Sequence, residues 1–224
     1  MCGRINVADN DGIRVLLESM GMVTWPGRDP RFNVAPTQTL DVVWLDGEQL
    51  SVIPMHWGFS LPMRGKSGKM IVRNVQNTRS DKAWSSALWK RHITAHRVLV
   101  PANGFYEWKR HNKKLVAAFY IAPASQSAMF FAGIYRPAKE PSVKPEVSII
   151  TTEANGSMSD VHDRMPVILG STNQVMAWLQ DADRVSIDEL MQPSTEAVLK
   201  ITRVSDYVNK ASNEGPECIE PIAV

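Results

Sequence analysis

Leu40-Asp41-Val42-Val43-Trp44-Leu45, then Asp46-Gly47, then Leu50-Ser51-Val52-Ile53, is the stretch that decides the fold class of this 224-residue chain. Two alternating stretches joined by Asp-Gly, a strong short-range turn signal, read as a β-hairpin. Working outward, short strands are expected over Arg97 to Val100, Leu115 to Ile121, Met129 to Tyr135 and Val147 to Thr152. Asn33-Val34-Ala35-Pro36 reads as extended or turning, because Pro36 disfavours helix at Ala35. Asp9 or Asp11 caps a first helix with Ile13, Leu16, Leu17 and Met20 on one face and Gly21 as its stop. Ser80-Asp81 caps a second helix through Ala83, Trp84, Ala87 and Leu88, and Ser171 with Gln174 forms a capping box before Val175, Met176 and Leu179. Shorter helices are expected over Asp188 to Met191 and Glu196 to Ile201, and an exposed loop over Ser60 to Lys69. Strands and helices do not alternate strictly, which disfavours a Rossmann or barrel-type α/β fold. The expectation is one α+β domain spanning residues 1–224, with a curved, mainly antiparallel sheet flanked by short helices.

Composition narrows the class. Apolar residues at 44% and charged residues at 21% fit a globular protein and exclude a disordered or fibrous one. A net charge of +2 does not by itself imply nucleic acid, although Arg64, Lys66, Lys69, Arg73 and Arg79 cluster locally. A solvated basic loop explains that cluster equally well. Two cysteines, Cys2 and Cys218, do not make a disulfide scaffold, and neither sits in a zinc-ligand pair. No apolar run is long enough to span a bilayer, so the expected location is the cytoplasm, with no membrane partner. The histidines show no metal spacing, and neither metal nor other cofactor is expected.

Four places carry candidate chemistry. Met1-Cys2-Gly3-Arg4 puts a small residue after the initiator Met, so removal of Met1 leaves a 1,2-aminothiol at Cys2. An aldehyde meeting that pair condenses with the amine, and the sulfur then closes a thiazolidine ring. Glu107, between Tyr106 and Trp108, is a carboxylate in an aromatic setting, suited to acid/base work. His162, in Asp160-Val161-His162-Asp163, is a proton shuttle candidate on a polar turn. Asn77 and Arg79 combine an amide with a phosphate-matching guanidinium. Taken singly, each also has a plain structural reading: a small second residue, a surface Glu, a solvated His-Asp pair, a helix-capping turn.

The ordered set is more specific than its members. Met1-Cys2-Gly3-Arg4, Arg31 to Pro36, Trp57-Gly58, Asn77-Thr78-Arg79-Ser80-Asp81, Val100 to Trp108, His162-Asp163-Arg164-Met165-Pro166 and Gly215-Pro216-Glu217 together resemble the SRAP family, the SOS-response-associated peptidases. That resemblance implies a positively charged single-stranded DNA groove and covalent shielding of abasic sites. It implies Cys2 as nucleophile, Asn77 and Glu107 as pocket residues and His162 as proton donor or acceptor. It assigns Arg4, Arg79 and Arg164 to phosphates, places Asn33, Trp57 and Trp108 on the DNA-binding side, and makes a one-to-one monomeric trap the default. The same groups could release Met1, as the peptidase label suggests, or act as a thiol peptidase on other chains; a non-covalent single-stranded DNA module is the remaining alternative. Two departures stand out. The family's Asn-Ala-Arg-x-Glu is here Asn77-Thr78-Arg79-Ser80-Asp81, and the loop after Trp57-Gly58, where a Trp wedge is usual, reads Leu61-Pro62-Met63-Arg64, leaving Met63 as the apolar wedge. Each base stack lost there is worth about 1–3 kcal/mol.

Overall fold

A computed structural model describes residues 2–22, 25, 27–112, 114–125, 128–180, 183–193 and 199–222. In chain order the first half comprises β1 (Ile5–Val7), α1 (Asn10–Glu18), β2 (Arg31–Val34), β3 (Thr39–Asp46), β4 (Gln49–Trp57), β5 (Phe59–Arg64), β6 (Met70–Val75), β7 (Asn77–Arg79), α2 (Ser80–Ala83) and α3 (Ala87–Ala95). The second half comprises β8 (Arg97–Ala102), β9 (Gly104–His111), β10 (Lys114–Pro123), β11 (Met129–Arg136), β12 (Glu146–Glu153), α4 (Gly156–Ser159), β13 (Arg164–Pro166), β14 (Ile168–Leu169), α5 (Thr172–Gln180), α6 (Arg184–Leu190) and β15 (Leu199–Val204).

The hairpin read from the sequence is β3–β4, in register from Thr39 opposite His56 to Asp46 opposite Gln49. Its turn is Gly47-Glu48, with Gly47 at φ +63°, a conformation that glycine adopts without a steric cost. From this hairpin the main sheet runs β12-β4-β3-β8-β11, and β11 pairs back onto β12, so the strands close on themselves. Closure is the curvature expected of the sheet, and it removes the open edges on these strands. Pairing is mostly antiparallel; β12 is the exception, running parallel to β4 and β7. A second sheet, β15-β10-β9-β1-β2, packs beside it.

Strand alternation along β8 divides the two larger cores of the interior. Along β8, Leu99 joins the helix side with Ile13, Leu17, Ile93 and Trp178, while Val98 and Val100 join the side shared with the second sheet, with Ile5, Val34, Phe105 and Cys2. Each fully buried large side chain, such as Trp178 or Phe105, contributes about 1.5–3 kcal/mol. Gly104 opens β9 where no side chain fits: a Cβ there would lie 2.5 Å from the Tyr120 ring and 2.6 Å from the Ile121 carbonyl oxygen. Gly104→Ala is therefore expected to cost about 1–3 kcal/mol as overpacking. Thermal unfolding checks this, with Tm falling by roughly 2–4 °C for each kcal/mol.

Several sequence expectations are corrected. Ser60 to Lys69 is not a loop throughout, because Phe59–Arg64 pairs with Met70–Val75 and only the Gly65 to Lys69 turn is irregular. The second helix breaks at Trp84 to Ser86, and Arg79 rather than Ser80 or Asp81 occupies its N-cap, with no side-chain cap bond. Asp9, not Asp11, caps α1, accepting from the Gly12 amide at 2.9 Å. The Ser171 hydroxyl does accept from Gln174, but the Gln174 side chain accepts from the Gly170 amide. The helix expected over Glu196 to Ile201 is overturned at Leu199 to Ile201, which are strand paired with β10; Glu196 lies outside the described residues.

Candidate functional site

The N-terminal segment reaches the site because β1 pairs with β9. Ile5 lies opposite Phe105, and the Tyr106 amide donates to the Arg4 carbonyl at 3.0 Å, so the pairing continues toward Cys2. Cys2 is fully buried in the core that contains Phe105 and Ile5. Asn77, arriving on β7, donates from Nδ2 to the Cys2 carbonyl at 2.6 Å. That bond fixes the backbone of Cys2. The buried Asn77 Oδ1 has no hydrogen-bond partner among the described residues. Burial pushes the Cys2 thiol far above its ordinary range, and the charge of Glu107 adds to the effect. A buried thiol next to a carboxylate is not a poised thiolate.

Glu107 is only 2% exposed. Burial raises its carboxyl pKa, and His162 opposes the shift as a nearby charge. The aromatic neighbours are not the cause of the desolvation: Tyr106 and Trp108 belong to a separate cluster on the other face of β9, while Phe105 shares the Cys2 core. Cys2 and Glu107 are thus electrostatic neighbours, as are Glu107 and His162.

His162 follows α4 in a turn. Its Nδ1 accepts from the Arg164 amide at 3.0 Å and lies 2.9 Å from the exposed Asp163 carboxylate. Nδ1 thus faces both a backbone donor and a carboxylate.

The arginines and aromatics fall into two sets. Arg79 is exposed, but Asp81 holds it through two bonds of 2.9 and 3.0 Å. Arg164 is buried, donates to the Thr151 carbonyl and lies 3.9 Å from Asp81, and its Nε has no partner among the described residues. Arg79 and Arg164 therefore converge on one shortened acid. Arg4 is directed inward: it donates to Asn33 Oδ1 at 2.6 Å and to the Val208 carbonyl at 2.9 Å, and packs over Trp108 at 5.5 Å. Asn33 is fully buried and donates to the carbonyls of Val208, Lys210 and Asn213, strapping the C-terminal segment onto β2. Trp57 has no exposed surface and donates to the Gln76 carbonyl at 3.1 Å. Trp108 is half-buried and donates to Asn209 at 2.6 Å. Met63 is 41% exposed on β5, beside exposed Met70, Ile71 and Val72 on the paired strand. The Asn33 hub and the Asp81 clasp were not foreseen, since nothing local in the sequence says whether an Asn or a Trp faces inward.

The arrangement unites an N-terminal aminothiol candidate, a buried carboxyl of raised pKa, an amide donor and a histidine, which together suit proton-coupled addition to a carbonyl. Comparison with known proteins agrees in extent. A family model described as SOS response associated peptidase (SRAP) matches residues 1–211. The abasic site processing protein YoqW of Bacillus subtilis is 33% identical over 195 residues, covering 85% of this chain and 86% of that protein. The abasic site processing protein YedK of Escherichia coli is 26% identical over 232 residues, covering 99% of this chain and all of its own length. A crystal structure of a protein from Bacteroides thetaiotaomicron superposes with a TM-score of 0.77 over 99% of this chain and 100% of that one at 20% identity, which supports the fold alone. With its motifs, its fold and the family model in agreement over nearly its whole length, the chain belongs to the SRAP family.

Proposed function

We propose that this protein captures abasic sites in single-stranded DNA by a covalent link at Cys2, after loss of Met1. The observation that carries the reading is that the Asn77 amide bonds the Cys2 carbonyl while the buried Glu107 carboxyl lies close enough for its charge to act on the Cys2 thiol. The Cys2 amine adds to the C1′ aldehyde of the ring-opened deoxyribose, and the carbinolamine loses water to give an imine. The sulfur then adds to the imine carbon while its proton passes to nitrogen. One C–N and one C–S bond form, and one water leaves. Glu107 takes the proton from the amine and returns it to the departing hydroxyl, and His162 assists opening of the sugar. The high thiol pKa favours this order over a thiol peptidase acting on other chains, which needs a thiolate as first nucleophile. Release of Met1 by the same groups is compatible with it.

The test is an oligonucleotide carrying one abasic site, mixed with protein and run under denaturing conditions. A shifted band that resists heat is expected. Cleavage of peptides without DNA would favour the peptidase reading, and lesion-independent binding with no stable band would favour a non-covalent module. Phosphates are met by Arg79 and Arg164 once the Asp81 clasp exchanges. Asp81→Asn is expected to tighten binding a fewfold at moderate salt and to steepen its salt dependence by roughly 0.7 for each phosphate gained. A titration at several salt concentrations reads both.

A further inference from the structure

The charge of this chain is unevenly placed. Lys and Arg number 25 against 23 Asp and Glu. The β5–β6 hairpin holds Arg64, Lys66, Lys69 and Arg73, and the tip of the β9–β10 hairpin holds Lys109, Arg110 and Lys114, with Lys113 completing the run in sequence. Neither 59–75 nor 108–116 contains an acid, so setting these eight cations aside leaves 17 basic residues against 23 acidic ones elsewhere. General surface dressing mixes both signs. Here two hairpins carry one sign only, and both are rooted at the pocket: β6 ends two residues before Asn77, and the β9–β10 tip begins two residues after Glu107.

The second hairpin is aimed by strand geometry. Lys109 and His111 share the face of Glu107 by alternation, and Lys114 lies opposite His111 on β10. At about 3.4 Å per residue the two side chains extend that face by about 7 and 14 Å beyond Glu107. Lys109, Arg110, His111, Lys114 and the following Leu115 and Val116 are all exposed.

We propose that the β9–β10 tip is a second DNA arm, gripping phosphates of the single strand that continues past the captured nucleotide. The inference rests on the single-stranded DNA reading above and extends it, assigning this hairpin affinity and footprint but no chemistry. Lys109, Arg110 and Lys114 act as point charges that read no base, so the contact is indifferent to sequence.

The experiment replaces Lys109, Arg110 and Lys114 together by Ser and measures binding of a lesion-free 20-nucleotide single strand across salt concentrations. A second protein with Lys90, Lys139 and Lys200, exposed and distant in sequence from both hairpins, replaced by Ser serves as a control. The tip variant is expected to lose roughly 2 from the slope of log K against log salt, at roughly 0.7 for each phosphate contact, and to bind about tenfold more weakly or worse at physiological salt. Its thermal stability should stay unchanged, and at low salt with saturating abasic oligonucleotide its yield of denaturant-stable adduct should equal that of the parent. An unchanged slope in the tip variant, or an equal loss in the control, overturns the proposal. Because the strand lacks a lesion, failure of the parent to cross-link would sink the capture reading without altering this outcome.

Discussion

Cys2→Ala is expected to abolish the denaturant-stable adduct altogether while leaving binding of single-stranded DNA within about twofold of the parent. The substitution removes one buried sulfur from the core around Ile5 and Phe105, a change of about 1 kcal/mol, so the fold should persist. The α-amine survives. It should still condense with the aldehyde, giving an imine that hydrolyses on denaturation but is captured by a borohydride reductant. Thus the variant should show no stable band without reductant and a clear one with it, while the parent shows its band in both. Gel analysis with and without reductant separates the two stages of the chemistry. A Cys2→Ala protein that forms the full stable adduct without reductant would remove the sulfur from the mechanism.

Glu107→Gln should slow adduct formation by roughly 10²–10⁴-fold, the usual contribution of a positioned proton-transfer group. It should also stabilise the protein at neutral pH, which separates a working carboxyl from a merely structural one. The sign follows from the raised pKa of the buried acid. Between the unfolded and the folded pKa the native state binds more protons than the unfolded one, so stability falls as pH rises through that window. Gln carries no such penalty at any pH. The Tm of Glu107→Gln should therefore exceed the parent's at pH 7, and the gap should close as the pH falls toward the ordinary carboxylate range. Stopped-time cross-linking and thermal melts across roughly pH 4 to 8 measure both effects. A variant that is slower and also less stable at neutral pH would mark Glu107 as a packing residue.

The elements that were legible in the sequence are those with a local signature. Asp46-Gly47 between alternating stretches announced β3–β4, although the turn itself sits one residue later, at Gly47-Glu48. Asp9 and Ile13, Leu17 marked α1 by cap and period. The β5–β6 hairpin was hidden because Pro62 and two glycines break a short period-2 pattern; Pro62 is tolerated on a two-stranded ribbon that has free edges. Leu199 to Ile201 looked helical, yet pairing with β10 made them strand, a tertiary contact overriding a weak local preference.

At the site, Cys2, Asn77, Glu107 and His162 were singled out because each residue type has a chemical use. The structure bonds Asn77 directly to the Cys2 carbonyl and sets Glu107 near enough to raise the Cys2 thiol pKa, with His162 near Glu107. What the sequence could not convey is exposure. Trp57 and Asn33 are fully buried, Trp57 donating to the Gln76 carbonyl and Asn33 to three carbonyls of the C-terminal segment. Arg4 turns away to Asn33 and Trp108, because a guanidinium that is nine-tenths buried must find carbonyls and rings inside the protein. The burial that makes Glu107 a useful acid comes from the Cys2 core and not from the aromatic residues beside it in sequence.

The most direct test of the central claim is the intact mass of the adduct between the protein and an abasic single-stranded oligonucleotide, followed by peptide mapping. The account predicts a mass equal to the protein without Met1 plus the oligonucleotide less one water, unchanged by prior treatment with borohydride, with the nucleotide remnant on Cys2. An adduct that retains Met1, that maps to a lysine, or that becomes stable only after taking up hydrogen from the reductant would contradict it.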